Sequence, residues 1–119
     1  MKVHVDRSSV HVSDDFESHA CVVEVPATDS LEALVRSVLQ AYPLPSIAGG
    51  KATWCVSVDY PVAVIAQEWR QPYFLPTLQV LSTRTPVGDG VEMCFSYLDQ
   101  IDPDSVVSIL TRIRFGSRR

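Results

Sequence analysis

Residues 28–45 constrain the fold of this chain more tightly than any other stretch. Thr28-Asp29-Ser30-Leu31-Glu32 offers a helix start, with Asp29 as N-cap and Glu32 three residues later to complete a capping box. Leu31, Leu34, Val35, Val38 and Leu39 then recur at helical spacing and form one apolar stripe. Pro43 and Pro45 end the segment, because proline has no amide to donate and pushes its predecessor out of the α region. The pattern predicts a helix that stops near Tyr42, and its single apolar stripe needs a surface to lie on.

Alternating sequences on both sides supply that surface. Val3, Val5, Val10 and Val12 flank the polar Asp6-Arg7-Ser8-Ser9, and Ala20 to Val25 is rich in β-branched residues. With Ser13-Asp14-Asp15-Phe16-Glu17-Ser18 as a polar connection, they predict a long-looped hairpin. After the Gly49-Gly50 turn, Trp54, Val56 and Val58 alternate with Cys55, Ser57 and Asp59, and Asp59-Tyr60-Pro61 leads into the apolar Val62 to Trp69, a second hairpin. Pro76 to Ser82 is a weaker strand, and Val91, Met93, Phe95 and Tyr97 alternate in a last one. Asp102-Pro103 supplies an N-cap and a first-turn proline for a closing helix, with Val106, Ile109, Leu110 and Ile113 as its apolar face. The expected architecture is α+β. An antiparallel or mixed sheet of five to six strands carries two helices on one face, with a β-grasp-like ββα start, further strands and a C-terminal helix. A length of 119 residues suits one core, so residues 1–119 are read as a single domain.

The chemical motifs are weak. Ser46-Ile47-Ala48-Gly49-Gly50-Lys51-Ala52-Thr53 looks like a phosphate loop, but its first glycine position is Pro45, Ala52 replaces the hydroxyl after lysine, and a strand follows instead of a helix. His19 and Cys21 share a strand face, yet no second close pair of soft ligands completes a zinc set. His4, His11 and His19 all fall in the first nineteen residues, and no serine or cysteine sits in a nucleophile elbow. Cys21, Cys55 and Cys94 are odd in number, far apart and embedded in apolar runs, which reads as buried reduced thiols. The expectation is a non-enzyme with no cofactor and no metal. The charged N-terminal stretch does not resemble a secretory signal and no apolar run reaches bilayer length, so a cytoplasmic location follows.

Charge points toward a protein partner. Residues 1–111 contain all 14 acids and six of the ten bases, a balance of −8, while Arg112, Arg114, Arg118 and Arg119 return +4. An acidic body repels nucleic acid and steers toward basic partners. Asp14, Asp15 and Glu17 form one acidic cluster on a loop, with solvated turn formation as its plainer role. In Glu68-Trp69-Arg70-Gln71-Pro72-Tyr73-Phe74-Leu75-Pro76, the residues Trp69, Arg70 and Tyr73 are of the types that most often anchor interfaces, although Trp69 and Phe74 could equally close the core.

Three stretches resemble bacterial immunity proteins of polymorphic toxin and contact-dependent growth inhibition systems. They are Val5-Asp6-Arg7-Ser8-Ser9-Val10 with Asp14-Asp15, Leu44-Pro45-Ser46-Ile47-Ala48-Gly49-Gly50-Lys51-Ala52-Thr53-Trp54, and Pro61-Val62-Ala63-Val64-Ile65-Ala66-Gln67-Glu68-Trp69. The resemblance implies a partner: the C-terminal domain of a cognate toxin, often a nuclease with a basic cleft, which the immunity protein binds and blocks. It brings no catalytic residues with it. On this expectation Asp14, Asp15 and Glu17 steer the encounter, while Trp69, Arg70 and Tyr73 anchor it. An adaptor subunit of a larger complex and an enzyme with an unrecognised site are the rival expectations.

Overall fold

The computed structural model describes residues 1–8, 19–76 and 88–112. Its elements run β1 (Lys2–Arg7), β2 (Cys21–Glu24), α1 (Leu31–Ala41), β3 (Thr53–Val58), β4 (Tyr60–Ala66), β5 (Tyr73–Phe74), β6 (Val91–Tyr97) and α2 (Pro103–Thr111). The strands form one open six-stranded sheet in the order β2-β1-β6-β3-β4-β5. β1 runs parallel to β6, and every other neighbouring pair is antiparallel. The α+β class, the mixed sheet, the ββα start and the C-terminal helix are as the sequence predicts. Val10, Val12, Ile113 and residues 77–82 of the weaker strand lie outside the described residues; the two-residue β5 at the sheet edge was not anticipated.

α1 forms where its stripe requires it. Its cap is Ser30 rather than Asp29: Ser30 is extended (φ −100°, ψ 120°) and its Oγ accepts from the Ala33 amide at 3.2 Å. Counting from Ser30 puts Glu32 one residue too early for a capping box, and its carboxylate pairs with Arg36 at 3.3 Å instead. Leu31, Leu34, Val35 and Val38 are fully buried, each stabilising by roughly 1.5–3 kcal/mol against about 1 kcal/mol for the cap. Packing on the sheet therefore decides this helix. Its bed is Val3 and Val5 of β1, Met93 and Phe95 of β6, and Trp54 and Val56 of β3. Trp54 meets Tyr97 at 5.0 Å and Tyr42 stacks on Phe95 at 6.0 Å.

The two helices do not share a face. Along β4, Ala63 and Ile65 belong to the α1 core, whereas Val64 joins Leu75 and Val106 in a second cluster with Trp69, Leu98, Val107 and Leu110. Neighbouring residues of a strand point to opposite sides, so α2 covers the reverse face, over β4. The reason lies in the sequence of that edge: Val64 and Leu75 present apolar surface that α1 cannot reach. The α2 stripe is correspondingly shifted to Val106, Val107 and Leu110, leaving Ile109 62% exposed. A bulge completes the arrangement. Val56 pairs with Ala63 but Ser57 pairs with Pro61, so Val62 is the extra residue and joins Ala63 in the α1 core, while Pro61 sits where the ladder is already irregular.

Candidate functional site

What α2 leaves uncovered is the other half of the reverse face. Val3 and Val5 point to α1, so Lys2, His4 and Asp6 point away; on β6, Glu92, Cys94 and Ser96 alternate with Met93 and Phe95 in the same way. The parallel register sets His4 opposite Glu92 and Asp6 opposite Cys94. β2 adds Val22 beside His4 and Glu24 beside Lys2, and β3 adds Ser57 beside Cys94. His4, Asp6, Cys21, Val22, Glu92 and Cys94 line an open depression of about 460 Å³. A second, of about 430 Å³, extends past Glu92 to Asp59 and Asp89 at the end of the sheet.

The electrostatics of this surface are negative. Glu24 is bound to the Met1 ammonium at 2.9 Å, but Asp6 and Glu92 form no ion pair among the described residues. Asp6 accepts a local bond from the Arg7 amide at 2.8 Å, and Asp89 accepts from the Lys2 amide at 2.8 Å. The Cys94 thiol responds to this field: burial pushes its pKa up first, and the carboxylates of Asp6 and Glu92 push it further. A thiol held in its protonated form is a poor nucleophile. Burial likewise raises the Cys55 thiol, partly offset by its contact with Ser57. Cys21 and Cys94 are exposed, against the expectation of buried thiols, because β2 is an edge strand and no helix among the described residues covers β6 on the reverse side. Among the described residues no three His, Cys, Asp or Glu side chains are grouped to hold a metal ion. No helix among them is long and apolar enough to cross a membrane.

The phosphate-loop look-alike is a strapped turn. Gly49 and Gly50 take positive φ (92° and 71°), a conformation that favours glycine. The Gln67 amide oxygen accepts from the Ile47 and Ala52 amides at 3.1 and 3.4 Å, occupying donors that an anion would need.

The predicted anchors separate. Trp69 is half-buried and belongs to the second core, whereas Arg70 and Tyr73 are exposed, Tyr73 on β5. No hydrogen bond, ion pair or ring contact joins the three among the described residues. Beside them, Arg36 lies 5.1 Å over the Phe74 ring and donates to Gln71, tying α1 to the β5 edge. Asp14, Asp15 and Glu17 lie outside the described residues. The sequence reading missed Asp6, Val22, Glu92 and Cys94 as one surface. Their polar alternation was visible, but the β1–β6 pairing that joins them spans most of the chain. Comparison of the chain with protein-family models, with curated proteins and with solved structures finds no match.

Proposed function

We propose that this chain is a cytoplasmic immunity protein that binds a cognate toxin domain, a nuclease, and neutralises it by occluding its active site or substrate-binding cleft. The observation that supports this reading best is the sheet face that α2 covers only in half, which is broad and acidic and, among the described residues, not neutralised at Asp6 and Glu92. Nuclease clefts are basic because they bind phosphates, and an acidic surface attracts them at long range and competes with the nucleic acid. An enzymatic reading draws less support, since burial and then the carboxylates of Asp6 and Glu92 push up the pKa of Cys94, one of the two thiols in the depression. An adaptor role draws on one specific feature, the β2 edge with Val22 52% exposed, which another strand could extend.

The test is co-expression with the C-terminal domain of a large secreted protein encoded next to this chain. The expected result is rescue of growth and co-purification of the two proteins. A toxic domain that is neither bound nor neutralised overturns the proposal. A stable complex with a non-toxic neighbour would move the assignment to the adaptor.

A further inference from the structure

We infer that the partner docks on the uncovered half of the reverse face, across β2, β1 and β6, and that the docked surface is rich in lysine and arginine. This deepens the immunity reading and rests on it for the partner's biological identity. Three observations locate the surface. α2 protects the β4–β5 half of this face, and no described element covers the β2–β1–β6 half. Asp6 and Glu92 lie on that half without a cationic partner among the described residues, and Asp59 and Asp89 continue the negative surface beyond Glu92. Val22, 52% exposed on the edge strand β2, gives the rim of the acidic surface an apolar contact for short-range affinity.

The size of the occupant follows from how the charge is spread. The acids extend over neighbouring strands about 4.8 Å apart rather than converging on one point. No metal-sized group of ligands forms among the described residues, so the complement is an extended basic surface and not a single ion. The Trp69–Tyr73 end is less suited to this role. Trp69 is engaged in the second core, and the neighbouring Phe74 is already covered by Arg36.

The probe is a deca-lysine peptide titrated at low salt into the ¹⁵N-labelled chain, with a deca-glutamate control. Shifts are expected at the amides of His4, Asp6, Val22, Glu92 and Cys94. The double variant Asp6→Asn, Glu92→Gln is expected to weaken binding about threefold to tenfold, as the loss of two exposed charge contacts. Both side chains are exposed, and an unchanged amide spectrum elsewhere shows that the fold is intact. Shifts centred on Arg70 and Tyr73, or undiminished affinity in the double variant, overturn the assignment. Co-expression with the toxic domain separates the two readings. Peptide binding at this face without neutralisation supports the surface and refutes immunity; neutralisation and co-purification undiminished by the double variant and by Val22→Arg refute the surface and leave immunity standing.

Discussion

Replacing Thr53 with valine is expected to destabilise the fold by about 1 kcal/mol, because one hydroxyl holds the connection that places α2. Thr53 is fully buried at the start of β3. Its backbone exchanges bonds with the segment after β6, from its own amide to the Asp99 carbonyl at 3.0 Å and from the Leu98 amide to its carbonyl at 2.8 Å. Its Oγ1 donates to the Ile101 carbonyl at 2.7 Å. Valine keeps the shape and both backbone bonds but leaves that carbonyl without its buried donor. A typical net bond contributes about 0.5–1.5 kcal/mol, and the exposure of Ile101 lets water recover part of the loss, which keeps the expected cost near the middle of that range. One kcal/mol changes the folded-to-unfolded ratio about fivefold. The assay is urea unfolding with an unchanged slope, combined with hydrogen exchange, where faster exchange is expected at Val106, Val107 and Leu110. A valine variant as stable as the parent, or one with unaltered exchange in α2, refutes the assigned role.

Ser30→Ala is expected to cost about 1 kcal/mol in denaturant midpoint measurements, and Asp29→Ala measurably less, since the Ser30 hydroxyl bonds the Ala33 amide. Equal effects would restore Asp29 as the cap. Gln67→Ala should accelerate exchange of the Ile47 and Ala52 amides while leaving β1 and β6 unchanged, because one side chain straps that turn to β4. Alkaline pH should lower stability. The Cys55, Cys94 and Tyr42 pKa values are all raised by burial, so the folded chain holds these protons more tightly than the unfolded chain. Their contribution is complete below the ordinary values, 9.0 for a thiol, and is lost as pH rises through the folded values; a urea midpoint that climbs above pH 9.0 contradicts this. In the same range, Asp6→Asn or Glu92→Gln should speed alkylation of Cys94 in a Cys21→Ser background by removing a carboxylate that keeps the thiol protonated.

Local patterns in the sequence were readable because they depend on neighbours. The α1 stripe, its stop before Pro43 and the alternations of β1, β3 and β6 need only 3.6- and 2-residue periods. The side of the sheet on which α2 lies was less accessible, because Val106, Ile109 and Leu110 describe a stripe without saying which face receives it. The answer depended on Val64 and Leu75, whose positions across the sheet follow from the Val62 bulge and the β4–β5 pairing. The candidate site was hidden for the same reason. Asp6 and Cys94 become neighbours only when the last strand inserts between β1 and β3, a parallel pairing that has no local signature.

The division of the reverse face is written into its side chains rather than left over from a short helix. On β4 and beyond, the reverse-face positions include Val64 and Leu75, which require a cover, and the nine-residue α2 supplies it. On β1 and β6 the corresponding positions are Lys2, His4, Asp6, Glu92, Cys94 and Ser96, which would leave charges buried without partners if a helix lay over them. Extending α2 would therefore not extend the core. Among the described residues the same face is apolar where the protein closes on itself and acidic over the β2–β1–β6 half, the half proposed above for docking. On the docking proposed above, positive charge on the partner offsets the solvation that Asp6 and Glu92 lose on contact.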